Sequence, residues 1–322
     1  MRGRVGIFIT VLAVVSGLAT APLARAADPP EVNWPRVLPA IAVGFTPQTF
    51  ELCANGSPRC VVRTLRTMDR RLRRMDARCD HNALFLRNYR LITQVYADLP
   101  ASFWDDPRWL ATEDAVFARL YFDAQSAWRA GRREDVPEAW RIAFGSADAR
   151  SVQGAGDLLL GINAHVQRDM PFLLAGLGIV RPDGASRKPD HDRMNGVLNA
   201  SYDDVVAQAV AQDDPDLAMY DVPGEADGFL EVQMVMGWRE GVWRNAERLV
   251  RARSDAERRM VAASIEAQAA AAARMITLTF PMGGPFTGAR RDALCAERGG
   301  TPPASARPAP GAALPALPPP GR

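Results

Sequence analysis

The chain has three histidines, and each of them lies within two residues of an Asp or Asn in the sequence. They occur in the segments Asp80-His81-Asn82, Asn163-Ala164-His165 and Asp190-His191-Asp192. Imidazole and carboxylate groups commonly bind zinc and transfer protons in enzymes. We therefore expect the fold to bring the three segments together into one polar site.

The middle histidine is followed by Asp169 after four residues. Four residues is just over one helical turn, so the imidazole of His165 and this carboxylate share one face of a helix. Apolar residues flank the pair at 158–160 and 172–174, which predicts that the helix is largely buried and that both polar groups need partners. Pro171 predicts that the helix kinks or ends just beyond Asp169.

These residue types predict a divalent metal, zinc being the best match, with an open coordination position that activates water. The predicted metal ligands are His81, His165, Asp169 and His191. The predicted acid–base residues are Asp80 and Asp192, and the further site candidates are Asn163, Asn195 and Arg239. In an alternative interpretation these residues form a structural hydrogen-bond network, in which Asp169 pairs with Arg239 or caps the broken helix. A third interpretation is an acid–base site without metal.

Helical spacing of apolar residues dominates the sequence that must position this site. The predicted helices begin near Ser57, Asp80, Trp109, Pro137, Val152, Asp190, Phe229 and Ser254. The sequence shows no alternation of apolar and polar residues typical of strands. It also shows no nucleotide-binding glycine motif after a convincing strand. The sequence therefore predicts an all-α fold, a single multi-helix bundle. The segment 229–250 is apolar on nearly all sides, which places it in the centre of that bundle.

The two ends of the chain differ from this helical part. Residues 1–26 predict a signal peptide cleaved after Ala26, and the proline-rich residues 27–56 predict an extended lead-in. Residues 57–298 form the predicted all-α domain, and the Pro- and Ala-rich residues 299–322 a disordered tail. This organisation predicts a secreted or envelope-exterior protein without a transmembrane span in the mature chain.

Four cysteines remain in the predicted mature chain, which suits an oxidising compartment and allows three pairings. The segment from Cys53 to Cys60 is rich in turn-forming residues and can close on itself. We therefore favour Cys53–Cys60 together with Cys79–Cys295.

The chain has 39 basic and 37 acidic residues, and loss of the three arginines of the predicted signal leaves them nearly balanced. No overall charge therefore drives binding to nucleic acid, which we do not expect as a partner. Arginines surround the polar sides of the first predicted helix; they are Arg63, Arg66, Arg70, Arg71 and Arg73. Such a run usually faces solvent, and a dedicated anion site is the alternative interpretation.

Four blocks of the sequence carry a family resemblance. They are Asp80–Thr93, Gly161–Pro171, Asp192–Asn195 and Trp238–Trp243, and the pattern Asn-Ala-His-x-x-x-Asp in the second block is the most specific. They resemble an uncharacterised bacterial family known only as a domain of unknown function, over roughly residues 58–280.

More distantly, His165, Asp169 and Pro171 are similar to the His-x-x-x-Asp helix of secreted zinc-dependent phospholipases C and single-strand nucleases. Those all-α enzymes cleave phosphodiesters with a zinc cluster, and this resemblance implies one or two metals here. They use more histidines than this chain has, and an N-terminal tryptophan ligand, whereas Trp34 lies eight residues beyond the predicted cleavage.

These observations lead to two hypotheses about function. The first is a secreted all-α protein with a metal-assisted hydrolytic site for phosphoester or lipid-like substrates. The second is a non-enzymatic helical binding or envelope-associated protein, whose His and Asp residues form a structural network.

Overall fold

The structure is a computed structural model that describes residues 59–220 and 226–303, with side chains in the second range from Gln233 onward. The predicted signal peptide, the lead-in and residues 304–322 of the predicted tail lie outside the described residues. The domain boundaries therefore stay predictions.

Eleven α-helices make up most of the described chain. They are α1 Arg59–Asp76, α2 Ala83–Asp98, α3 Pro107–Arg129, α4 Glu138–Ala149, α5 Gly154–Ile162, α6 Met170–Leu177, α7 Lys188–Ala200, α8 Tyr202–Gln212, α9 Ala226–Arg251, α10 Asp255–Thr279 and α11 Ala289–Glu297. A π-helix, Asn163–Asp169, joins α5 to α6. The described residues contain no β-strand, only isolated bridges. The predicted all-α class is confirmed.

Local sequence signals account for where several helices begin. Ser254 caps α10 by accepting a hydrogen bond from the Glu257 backbone N–H at 3.1 Å, and the Glu257 carboxylate accepts one from the Arg253 backbone. This arrangement is close to a capping box, except that the Glu257 side chain bonds the residue before the cap and not the cap itself. Asp106 caps α3 in the same way through the Trp109 backbone N–H, and Pro107 occupies its first turn.

The π-helix lies in the middle of the bundle. It packs against α3, α4, α9 and α10 and continues directly into α5 and α6. The helix α9 also packs against α6, and its residues Val242, Trp243 and Ala246 are buried. These contacts agree with the predicted central position for the second half of the segment, whereas residues 234–238 are half-buried or exposed.

The sequence predicted that the helix kinks or ends just beyond Asp169, and the structure shows an irregular turn at 163–169 without an end. In a regular α-helix the ring of Pro171 would collide with the carbonyl group four residues earlier. The preceding turn is instead wound as a π-helix, in which the Met170 N–H donates to the His165 carbonyl five residues back. The interruption therefore lies over 163–169, and α-helix resumes at Met170.

A disulfide bond joins Cys79, in the turn between α1 and α2, to Cys295 in α11. This confirms one of the two predicted pairings. Cys53 lies outside the described residues, so Cys53–Cys60 stays a prediction. Among the helices of the described part of the chain, none is both long and apolar enough to cross a membrane.

Candidate functional site

His165 and Asp169 form a buried pair on the π-helix. Their side chains are 3% and 1% exposed, and Nδ1 of His165 lies 3.4 Å from Oδ2 of Asp169. Trp140 donates its indole N–H to the same Oδ2 at 2.8 Å, and Arg168 donates to Oδ1 at 2.9 Å. These donors fix the carboxylate in place. We therefore assign the imidazole proton to Nδ1, which leaves Nε2 as the basic nitrogen.

Aromatic rings enclose the imidazole of His165. The Phe117 ring stacks on it with 3.4 Å between centroids, and the Tyr89 ring meets it edge-on at 4.5 Å. Phe85, Tyr121 and Trp140 lie slightly farther away. Burial lowers the pKa of His165, although Asp169 opposes this effect. The imidazole is consequently neutral near pH 7.

Two neighbouring, half-buried acids on α3, Glu113 and Asp114, lie near Tyr89. Burial raises the pKa of Asp114 to about 8, and the nearby Glu113 adds to the effect. Burial also raises the pKa of Glu113 to about 7, while Arg239 opposes this rise. Burial raises the pKa of Tyr89 most, and both acids contribute. The acids therefore act on the ring that contacts His165.

The sequence interpretation missed this acidic pair. A signal for it existed, because Leu110, Asp114, Phe117 and Tyr121 recur at helical spacing along one side of α3. An acid on the same side of a helix as three large apolar residues indicates a carboxyl group that points into the core.

Four buried polar atoms in this region have no hydrogen-bond partner among the described residues. They are Nε2 of His165, Oη of Tyr89, Oγ1 of Thr93 and Oδ2 of Asp114. Tyr89 and Thr93 are one turn apart on α2, and Asp114 is about one turn from Phe117, which stacks on His165. Buried polar atoms are nearly always bonded, so a group of unbonded ones indicates a place for water or a ligand. We call these residues, together with Asp169 and Glu113, the His165 site.

His81 belongs to a different set of charged residues. Its Nδ1 lies 3.6 Å from Asp157 and its Nε2 3.6 Å from Asp292, while Arg150 bonds to Nε2 at 2.9 Å. Burial and the charge of Arg291 lower the pKa of His81 to about 3. This imidazole is a neutral part of an ion-pair network that connects α2, α5 and α11.

Asp80 shapes the turn before α2 and does not contact the His165 site. Its Oδ1 accepts a hydrogen bond from the Asn82 backbone N–H at 3.0 Å, and its Oδ2 pairs with Arg129. Both carboxylate oxygens are therefore occupied by structural contacts.

His191, Asn195 and Arg239 do come together, between α7 and α9. Arg239 donates to the Asn195 side chain at 2.7 Å and to the His191 carbonyl at 2.5 Å, and Nε2 of His191 lies 3.2 Å from the Arg239 carbonyl. Asp192 pairs instead with Lys188 at 2.8 Å. Asp169 and Arg239 do not form the predicted pair, because closer partners occupy each of them.

Asn163, the last predicted candidate, fixes the start of the π-helix. Its side-chain amide donates to the Ala269 carbonyl of α10 at 2.9 Å, and its oxygen accepts a hydrogen bond from Gln167 at 2.7 Å. It therefore holds the His165-bearing turn against α10.

The three histidines thus occupy three separate sets of contacts, and the expected convergence is not observed. Within residues 59–220 and 226–303, no group of three or more His, Cys, Asp or Glu side chains is arranged to hold a metal ion. The outer two histidines are at or near helix starts, where His81 contacts aspartates and an arginine from other helices and His191 contacts Arg239. A metal at any single histidine stays a prediction.

The fold and the site define a class of protein: an α-helical bundle built around a buried histidine–aspartate pair. A family model described as a family of unknown function, DUF5995, matches residues 61–279, and the chain belongs to this family. The match confirms the resemblance seen in the sequence blocks and includes the whole His165 site. No match to the chain was found among curated proteins or among solved structures.

Proposed function

We propose that this protein is an enzyme that uses the His165 site for general acid–base catalysis on a small, largely apolar, lipid-like molecule. The observation that carries the proposal is the unbonded Nε2 of a neutral, buried imidazole whose other nitrogen faces Asp169. A histidine oriented in this way is a proton acceptor. A disulfide bond and the predicted signal peptide support a site of action outside the cytoplasm.

Each residue of the site has a role in this proposal. His165 takes a proton from a water molecule or a substrate hydroxyl group, and Asp169 stabilises the imidazolium that forms. Asp114, which is protonated below about pH 8, gives a proton to the leaving oxygen. In ester hydrolysis the water oxygen bonds to the carbonyl carbon, the bond from that carbon to the alcohol oxygen breaks, and Asp114 protonates the departing alcohol. The cycle closes when the imidazolium of His165 releases its proton and Asp114 takes one up.

The surroundings favour an uncharged ester over a phosphoester. Aromatic rings cover the imidazole, and near neutrality Asp114 keeps its proton while Glu113, with a pKa of about 7, is partly ionised. Arg239 is the nearby cation that acts on Glu113, and its donors already bind Asn195 and His191. A phosphate would therefore find apolar walls and acids where it needs several cations.

A rate assay on p-nitrophenyl esters from acetate to laurate tests the proposal. His165→Gln should lower kcat by at least about 100-fold, because general acid–base catalysis contributes about that much or more. The wild type should lose activity above about pH 8, because Asp114 then loses its proton. The rate of Asp114→Asn should not show this fall. Asp123→Asn, an exposed acid on the same helix, is the matched control and should leave the rate unchanged.

Equal rates for the wild type and His165→Gln on every ester would reject the catalytic role. Binding of a fatty acid by both proteins would then favour the rival function, a non-enzymatic helical binding protein. Metal analysis of the untagged protein tests the hypothesis, drawn from the sequence, that zinc assists hydrolysis at this site. Stoichiometric zinc that is lost in His165→Gln would show that Nε2 binds metal and does not accept protons directly.

A further inference from the structure

An exposed row of arginines runs along α1 and into the turn that follows it, and none of these arginines belongs to the His165 site. Its members, which we call the arginine stripe, are Arg63, Arg66, Arg70, Arg73, Arg74 and Arg78, and all six are exposed. They follow one another at intervals of one to four residues, chiefly three or four, which keeps them on one side of the helix. From Arg63 to Arg74 the stripe is about 17 Å long.

The charges of the stripe are not neutralised by the described part of the chain. None of the six forms an ion pair with a described carboxylate, although Arg70 donates to the Thr67 hydroxyl group. The two acids of the helix point elsewhere, since Asp69 pairs with Arg90 and Asp76 with Arg87 on α2. The stripe therefore presents six positive charges to whatever lies outside α1.

This arrangement has an energetic cost for the helix. Arg66 and Arg70, and Arg70 and Arg74, are like charges four residues apart within α1, and such pairs destabilise a helix. Neutral polar residues would cover the same surface without repulsion. A bound anion removes the repulsion. Arginine at these positions is therefore favourable only when an anionic partner is bound.

The end of the stripe is also concave. A surface pocket of about 440 Å³ is lined by Arg70, Arg73, Arg74, Ala77 and Arg78. Guanidinium groups form paired hydrogen bonds with phosphate oxygens. Four such groups around one pocket match a phosphate-bearing headgroup in both charge and geometry.

We propose that the arginine stripe binds the phosphate groups of an anionic lipid surface, with α1 lying flat against it. A straight row of charges on one helix meets a plane along its whole length, and Val62, which is 46% exposed, borders the row at its start. Nucleic acid fits less well, because α1 contains no aromatic side chain on which a base could stack. The overall charge of the chain is only +2, so the attraction is local to this helix.

Sedimentation of the full-length protein with phosphatidylglycerol or phosphatidylcholine vesicles tests the proposal. The wild type should bind the first kind of vesicle and not the second, and added salt should weaken binding. Each arginine near an anionic surface changes partitioning about fivefold. The variant with Arg70, Arg73, Arg74 and Arg78 all changed to Gln should therefore lose binding by more than about 100-fold.

A second variant with the same loss of charge is the matched control. Arg141, Arg251, Arg253 and Arg259 are exposed, and none forms an ion pair with a described carboxylate; changing them to Gln should alter binding less than about threefold. Circular dichroism checks that both variants fold. Equal losses in the two variants would overturn the proposal, as would a wild type that binds a single-stranded oligonucleotide and ignores the anionic vesicles.

Discussion

Asp114 and His165 illustrate how burial sets opposite protonation states in one small region. Burial favours the neutral form of each group, so the pKa of the acid rises to about 8 and that of the imidazole falls. At neutral pH the site therefore contains an acid that still holds its proton and a base that lacks one, both next to Tyr89. This combination is what acid–base chemistry requires, and it follows from residue environment alone.

The same protonation states predict that the protein loses stability as the pH rises from 6.5 to 8.5. Folded Asp114 keeps its proton to about pH 8, whereas in the unfolded chain it loses that proton near pH 4. The folded state then binds more protons than the unfolded state, so the free energy of unfolding falls with pH. The lowered pKa of each histidine acts in the opposite direction, but only below about pH 6.5.

Thermal melting at several pH values measures this effect. Asp114→Asn keeps a neutral side chain of the same shape, and it should therefore show a smaller fall in Tm over the window than the wild type does. In this variant Tm should still fall somewhat with pH, because Glu113 and Asp157 each have a pKa raised to about 7. A Tm that stays constant or rises from pH 6.5 to 8.5 in the wild type would contradict the prediction.

The sequence predicted part of the candidate site, for a physical reason. His165 and Asp169 were predictable because both lie on one helical segment, where spacing alone fixes their relation. The contacts of His81 and His191 were not, since their partners, such as Asp292 and Arg239, come from distant helices. Packing between helices decides those contacts, and local spacing carries no information about it.

At the scale of the helical elements, the close approach of α2 to α5 depends on Gly161. A Cβ atom at this position would lie only 2.8 Å from Cβ of Phe85 and would also meet its ring. Phe85 in turn contacts His165 with 5.7 Å between ring centroids. The glycine therefore lets α5 support the aromatic wall of the His165 site.

Gly161→Ala should destabilise the protein by about 1–3 kcal/mol, the usual cost of overpacking a core. Gly241→Ala is the matched control, because a Cβ atom there would meet nothing within 4 Å. Alanine favours the helix by up to about 1 kcal/mol over glycine, so the control should be neutral or stabilising. Urea unfolding compares the two, and equal shifts in their midpoints would show that α2 and α5 can separate without cost.

Helix positions were largely predictable, whereas the π-helix was not. Apolar spacing and caps such as Ser254 mark where helices begin, and these signals are local. The sequence predicted a break near Pro171, but whether the helix ends, kinks or widens there depends on what surrounds the segment. Six other helices pack against or continue the π-helix, so a widened turn preserves more contacts than a helix end would.

At the scale of the whole molecule, the Cys79–Cys295 disulfide bond ties the last helix to the turn after the first. The two cysteines are 216 residues apart in sequence. Closing a loop of this length restricts the unfolded chain, and the chain-entropy relation gives a stabilisation of roughly 5 kcal/mol. Gly300 lies against both sulfur atoms, so the chain after α11 is packed onto the bond.

The double variant Cys79→Ala with Cys295→Ala should lose about 2–5 kcal/mol of unfolding free energy. Urea unfolding without reductant measures the loss, and the wild type with reductant provides the comparison. The helical content should be unchanged under native conditions, because the bond restricts the unfolded chain more than it shapes the helices. A loss below about 1 kcal/mol would contradict the prediction.

The position of this bond also sets an order of events during synthesis. Cys79 leaves the ribosome 216 residues ahead of its partner, so the segments that form α1 to α10 are all made before the covalent ring can close. A nascent chain that stops short of residue 295 carries an unmatched thiol at Cys79, open to exchange with other cysteines. Incomplete chains of this protein therefore carry a reactive thiol at Cys79, whereas in complete chains Cys79 is bonded to Cys295.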